Sequence, residues 1–128
     1  MRQRIRHEDV VVPGSRLPEF VDFLDSQASA SRLPIVSFGH AGNGNLHVNL
    51  MVHPDDADEM DRAHLALDAI ILRALALGGT LSGEHGIGTE KRRFVDREID
   101  PATLGLMRAI KQQFDPRGLL NPGKLFPD

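Results

Sequence analysis

Two histidines flank a predicted turn in the segment Gly39–His47, GHAGNGNLH. Asn43-Gly44 is a strong hairpin signal, because both residue types tolerate the positive φ angles of a type I′ turn. With these two residues as the turn, we expect His40 to lie directly opposite His47 on the neighbouring strand. Opposed residues of a sheet have Cβ atoms about 4.5–5.5 Å apart on one face. The spacing therefore predicts two imidazoles that converge on one ion.

A second segment with chemical potential is the glycine-rich loop Gly83–Gly88, GEHGIG, which carries Glu84 and His85. Two histidines and one carboxylate leave coordination positions open, as catalytic zinc and non-haem metal sites require. The chain has no Cys, so neither a thiolate ligand nor a cysteine nucleophile is available. The competing interpretation is two incidental surface histidines beside an ordinary glycine-rich turn. The combined set favours an open metal site.

Other polar segments carry weaker signals. His7, His53 and His64 have no comparable setting, and His64 falls on the apolar stripe of a predicted helix. The basic segment Lys91–Arg93 fits either an anchor for a substrate carboxylate or a solvated charge cluster, of which the second is more usual. The segment Asn121–Lys124, NPGK, is typical of a turn.

The composition bounds the class of protein. The chain has 128 residues, 41% hydrophobic and 26% charged, which is typical of a soluble globular domain. A net charge of −3 argues against a nucleic-acid or anionic-membrane partner. No apolar stretch approaches the roughly 20 residues of a membrane span, and no signal peptide is evident. We therefore expect a cytoplasmic protein without a transmembrane segment, peripheral to a membrane only through partners.

The hydrophobic periodicity predicts the order β-α-β-β-α-β, followed by a helix and an irregular tail. The expected elements are a strand at Asp9–Pro13, a helix carrying Leu17–Ala28, strands at 35–40 and 46–52, a helix opened by Pro54–Asp56, a short strand at Thr80–Ser82, and a last helix capped by Asp100.

This order indicates an α+β fold, a ferredoxin-like antiparallel sheet with both crossover helices on one face. We expect a single domain over residues 1–128, with its core at 8–83, a site loop and basic segment at 84–100, and a helix and tail at 101–128. The apolar positions of strand 46–52 must face the helices. His47 and Asn49 then point to the opposite, uncovered face, which Phe38 and His40 share.

Four segments in order resemble the C-terminal part of the FAD-linked oxidase family. That family includes flavin-type D-lactate dehydrogenases, the D subunit of glycolate oxidase and D-2-hydroxyglutarate dehydrogenases. The matching segments are Glu8–Pro13, Gly39–His47, Ser82–Gly88 with Lys91, and Phe114–Lys124. Asn43 stands where the family usually has Asp.

The resemblance implies roles for particular residues. His40, His47 and Glu84 match the family's divalent-metal ligands, with Zn the first expectation and Mn or Fe also suited. His85 matches the residue that takes the proton from the substrate hydroxyl. Asn49 matches a substrate-contacting position. Asn121 lies in the tail that returns to the flavin-binding domain, and so matches a cofactor-binding position.

The resemblance also implies partners. FAD would be bound mainly by a part absent from this chain, so an FAD-binding domain or subunit and a small 2-hydroxy acid are the expected partners. Without that part we expect the chain to be inactive. The alternative is a non-catalytic metal-binding or self-associating module. The apolar residues of the predicted open sheet face favour a homodimer in either case.

Overall fold

The computed structural model describes the backbone of residues 3–127 and the side chains of residues 8–127. The N-terminal side chains from which we expected no signal peptide, and the side chain of His7, lie outside the described part. Contacts divide the chain into two compact units, Met1–Glu84 and His85–Asp128.

The first unit contains a three-stranded antiparallel sheet and two long helices. Along the chain the elements are β1 Gln3–Val11, α1 Leu17–Ser31, β2 Ile35–His40, β3 Asn45–Val52 and α2 Ala57–Ala76. The strand order is β1-β3-β2, so β3 lies in the centre and β2 at an edge. The α+β class is confirmed. The first strand begins earlier than the predicted Asp9–Pro13.

The core lies between the sheet and the two helices. Leu46, Val48, Leu50 and Val52 are all buried, as the alternation along β3 predicts. From the helices, the core receives the side chains of Phe20 and Leu24 in α1 and of Ala63, Leu67, Ile70 and Ala74 in α2.

The two ends of α2 follow from local sequence. Asp56 caps the helix, its Oδ1 accepting a hydrogen bond from the backbone N–H of Glu59 at 3.1 Å. At the other end, Gly78 adopts a left-handed φ of +79°, which a residue with a side chain rarely adopts. The predicted start and stop signals of this helix are confirmed.

The predicted fourth strand, Thr80–Ser82, is reduced to one antiparallel bridge between Thr80 and Val11. The bridge lies on the outer side of β1, where a ferredoxin-like fold places its last strand. It does not continue because the Asp9 carboxylate accepts the hydrogen bonds of Ser82 Oγ and of the backbone N–H groups of Gly83 and Glu84. A side chain thus replaces the ladder partner.

The second unit contains two helices and a tail. A short helix, α3, covers Val95–Glu98, and α4 covers Pro101–Phe114. Asp100 caps α4 by accepting from the backbone N–H groups of Ala102 at 2.9 Å and Thr103 at 3.0 Å. The hydrogen bond from the Thr103 hydroxyl is the main cause of the lowered pKa of Asp100. The tail after residue 114 has no regular element among the described residues, as expected.

Candidate metal centre

The turn that joins β2 to β3 has four residues, not the two that Asn43-Gly44 predicts. The N–H of Asn43 donates to the carbonyl of His40 at 3.1 Å, which closes a β-turn. Gly44 follows with a left-handed φ of +75°. A Cβ at Gly44 would lie 1.9 Å from the carbonyl oxygen of Val12, so this position requires glycine.

The longer turn changes the register of the hairpin. His40 is opposite Asn45, and Phe38 is opposite His47, so the predicted pairing of the two histidines is wrong. The shift amounts to two residues. Because side chains alternate with a period of two, an even shift keeps both histidines on one face. The imidazoles are diagonal neighbours, with ring centroids 6.1 Å apart.

His40, His47 and Glu84 form a cluster on this face of the sheet. One potential ligand atom from each residue lies within 4.8 Å of the other two. The His40 Nε2 atom is 3.4 Å from Glu84 Oε1. His47 is buried, while His40 and Glu84 are exposed, so the cluster has a wall in the protein and a side open to solvent. Two imidazoles and a carboxylate fit the donor preferences of zinc, manganese and iron.

Two further residues position Glu84, and the sequence pattern did not identify them. Asp9 is fully buried, and its Oδ2 accepts hydrogen bonds from Ser82 Oγ at 2.8 Å and from the N–H of Glu84 at 2.8 Å. Asn45 donates from Nδ2 to Glu84 Oε1 at 2.8 Å. These contacts fix the backbone and the carboxylate of Glu84, as residues around metal ligands commonly do. The one signal in the sequence is a carboxylate inside the valine-rich strand.

The face that carries the cluster is covered at its centre, which corrects the prediction of an open face. His47 is 7% exposed and Asn49 is 6% exposed. Both belong to the central strand, so side chains of neighbouring strands flank them, among them Phe38 at 5.2 Å from the His47 ring. Only the β2 edge remains open, where Phe38 is 54% exposed.

The remaining predicted site residues lie in different environments. Asn49 is two residues from His47 on the same face of β3. His85 is exposed and begins the second unit, where Gly86 has a left-handed φ of +76°. Asn121 belongs to the tail of the second unit. The side chain of Asn43 accepts from the N–H of Asn45 at 3.2 Å and so supports the turn.

The tail of the second unit is organised by Asp115. Its two carboxylate oxygens accept the N–H groups of Leu119 and Leu120, each at 2.9 Å, and one of them contacts the Lys111 ammonium. The Lys111 side chain is the main cause that lowers the pKa of Asp115 to about 2, and the backbone donors add to the shift. This single carboxylate therefore explains why the segment after Phe114 folds back as a loop.

Together, the fold and the cluster define an α+β domain with a candidate metal centre on its sheet. The chain matches the family model of the FAD linked oxidases, C-terminal domain, over residues 5–125, and it belongs to that family.

Three relatives give the range of the family. The chain is 40% identical over 119 residues to the glycolate oxidase subunit GlcD of Bacillus subtilis, covering 93% of this chain and 25% of that protein. It is 36% identical to the D-lactate dehydrogenase of Anaerostipes hadrus, covering 91% of this chain and 25% of the relative. It is 35% identical to the D-2-hydroxyglutarate dehydrogenase of Stutzerimonas stutzeri, covering 92% and 26%. The chain thus spans about a quarter of the length of these relatives.

Within residues 3–127, none of the helices has the length and apolar character needed to cross a membrane.

Proposed function

We propose that this chain is the substrate- and metal-binding part of an FAD-dependent 2-hydroxyacid dehydrogenase or oxidase, acting on D-lactate, glycolate or D-2-hydroxyglutarate. The observation that carries the proposal is the convergence of His40, His47 and Glu84 within 4.8 Å in a member of the FAD-linked oxidase family. The family implies FAD. The divalent metal and the 2-hydroxy acid are parts of the proposal.

In this proposal, His40, His47 and Glu84 hold one divalent cation, with Zn the first choice and Mn or Fe also suited to the donor set. When bound, the cation supplies Lewis-acid chemistry that lowers the pKa of a coordinated hydroxyl group. The hydrogen bonds of Asp9 and Asn45 keep Glu84 in place before the ion arrives. A ligand that is already oriented loses less entropy on binding.

The proton of the substrate hydroxyl goes to an imidazole nitrogen of His85, which follows the ligand Glu84 directly in the chain. A histidine is suited to this task because its ordinary pKa lies near neutral pH. Asn49 offers an amide for hydrogen bonds to the substrate, and Asn121 belongs to the part that contacts the flavin-binding portion. Electron transfer from the substrate carbon is the chemistry of the flavin.

The metal site is tested by titrating the purified, chelator-treated chain with Zn²⁺ or Mn²⁺ in a calorimeter. We expect one ion per chain. His47→Ala weakens binding by about tenfold or more, in line with the loss of one ligand. His53→Ala is the matched control, because His53 is an exposed histidine of the same unit outside the cluster. Equal affinity for His47→Ala and the unsubstituted chain would refute the site.

The role of His85 is tested in the enzyme reconstituted with its FAD-binding part. We expect His85→Ala to lower kcat strongly while the melting temperature changes little, because the residue is exposed and stands beside a glycine. His53→Ala again serves as the control and leaves kcat unchanged. A large loss of stability with little change in kcat would make His85 a structural residue.

The second candidate is a non-catalytic metal-binding or self-associating module. It is favoured by the exposed apolar side chains at the edge strand β2, where Val36 is 51% exposed. We propose that the isolated chain is colourless, inactive and a homodimer. Light scattering coupled to size exclusion then gives a mass above 14.1 kDa.

Co-purification separates the two candidates. An FAD-containing polypeptide that accompanies the chain supports the enzyme part, and a chain that binds metal without such a partner supports the module. A yellow, active preparation of the chain alone contradicts the proposed dependence on a separate FAD-binding part.

A further inference from the structure

Two segments without a role in the proposed function meet in the second unit. Arg92 of the basic segment Lys91–Arg93 donates from Nη1 to the carbonyl oxygen of Gly123, in the segment Asn121–Lys124, at 3.1 Å. The contact forms part of a cleft of about 380 Å³ between α4 and the tail. This volume falls within the range of small-molecule sites.

The cleft is strongly basic. Four cationic side chains line it, from Arg92, Arg108, Lys111 and Lys124. Asp115 is the one acidic residue of the lining, and it forms an ion pair with Lys111. Four cations against one carboxylate leave the lining with three positive charges in excess.

The cations of the cleft are held in position by neighbouring groups. The Arg108 guanidinium lies 4.9 Å from the centre of the Phe126 ring and donates to the carbonyl of Pro127 at 2.5 Å. A guanidinium carries five N–H donors, so this contact leaves donors for a ligand. Lys111 donates to the carbonyl of Leu120 at 3.0 Å. Side chains that are already ordered lose less entropy when they bind a ligand.

The backbone of the tail adds a second, independent observation. Asn121, Gly123 and Leu125 have left-handed φ angles of +48°, +72° and +71°, and they alternate with Pro122 and Lys124. A backbone that alternates between the two hands forms concave nests of N–H groups, which bind anions. Left-handed φ at residues other than glycine is strained, and such strain is concentrated at functional sites.

From this charge and this backbone, we propose that the cleft binds a phosphate-type oxyanion, either free phosphate or the phosphoryl group of a small molecule. Two guanidinium groups and two ammonium groups match a dianion, and guanidinium groups bind phosphate oxygens in pairs. The proposal does not depend on the metal site, because none of the metal-cluster residues lines the cleft.

The test is a titration of the full chain with inorganic phosphate, without added metal, followed by ¹H–¹⁵N spectra. We expect saturable shifts in the amides of residues 118–125. Lys124→Gln is the main variant, because its side chain lines the cleft and takes part in none of the hydrogen bonds seen among residues 8–127. Removing this charge-assisted contact is expected to weaken binding about tenfold.

Arg117→Gln is the matched control, since Arg117 is an exposed cation of the same loop outside the cleft lining. It should leave the affinity within about twofold of the unsubstituted chain. Arg108→Lys keeps the charge and should retain most of the binding, whereas Arg108→Gln should lose it. Pyrophosphate as a second ligand distinguishes a site for phosphoryl compounds, which binds it more tightly, from a site for free phosphate. Shifts that do not saturate, or equal affinities for Lys124→Gln and Arg117→Gln, would overturn the proposal.

Discussion

The two units of the chain are stabilised in different ways. Among the described residues, 17 of the buried hydrophobic residues lie in the first unit and three, Phe94, Val95 and Leu104, lie in the second. The first unit has a sheet covered by two helices. In the second unit the apolar side chains of α4 and the tail are largely exposed, among them Ile110, Phe114 and Leu120.

The polar contacts show the reverse distribution of roles. In the second unit, Asp100 caps α4 and Asp115 folds the tail, so carboxylates determine the local structure. In the first unit the buried carboxylate of Asp9 positions one loop on a framework that the core already fixes. The difference teaches that the candidate metal cluster stands on the unit with its own core, which can hold three ligands within a short distance. The basic cleft stands on the unit held by ionic contacts.

The strongest test of this difference is a pair of identical substitutions, Phe20→Ala and Phe114→Ala. Phe20 is fully buried in α1, whereas Phe114 is 82% exposed at the end of α4. We expect Phe20→Ala to lower the free energy of unfolding by about 3–5 kcal/mol, because it leaves a cavity. Phe114→Ala should change it by less than about 0.5 kcal/mol. Thermal and urea denaturation followed by circular dichroism measures both. Similar losses for the two variants would remove the distinction between the units.

A smaller effect is expected at the loop that joins the core to the cluster. Asp9→Asn replaces a buried carboxylate that accepts from Ser82 and from two backbone N–H groups. The loss of these charge-assisted hydrogen bonds should cost about 2 kcal/mol. It should also weaken metal binding, because Glu84 loses the contact that fixes its backbone. Asp22→Asn, at an exposed position of α1, is the control for both quantities. Unchanged metal affinity in Asp9→Asn would show that Glu84 needs no such support.

The smallest effect concerns the tail. The pKa of Asp115 is lowered from 3.8 to about 2, so the ionised carboxylate stabilises the folded tail at every pH above 3.8. This stabilisation is lost as the pH falls through the window from 3.8 to about 2. Amide exchange of Leu119 and Leu120 should therefore accelerate in this window, while the core amides of β3 remain protected. Asp115→Asn should show fast exchange of both tail amides at all pH values. A tail that stays protected in Asp115→Asn would show that another contact folds it.

The sequence allowed the fold class and the helices to be predicted because each depends on local signals. The alternation of Leu46, Val48 and Leu50 defines the buried face of β3, and Asp56 and Asp100 cap their helices as expected. The register of the hairpin could not be predicted from Asn43-Gly44 alone. A dipeptide indicates that a turn is present, but the number of residues in the turn depends on neighbouring backbone, here the close approach of Gly44 to Val12.

The candidate site was predicted in its members and not in its supports. The histidines share a face in either register, since an even shift does not change the side of the sheet. The positions of Asp9 and Asn45 around Glu84 depend on the path of residues 82–84, which crosses the sheet and follows from tertiary contacts. The same path ends the expected fourth strand after one bridge. The meeting of Arg92 with Gly123 was equally invisible, because 31 residues separate them.

The central claim is that His40, His47 and Glu84 hold one divalent ion. It is tested most directly by a crystal of the chain grown with Zn²⁺ and measured at the zinc absorption edge. The account predicts one strong anomalous peak at about 2.0–2.2 Å from an imidazole nitrogen of each histidine and a carboxylate oxygen of Glu84. An anomalous map with no peak at these three residues, or with zinc at other sites alone, would contradict it.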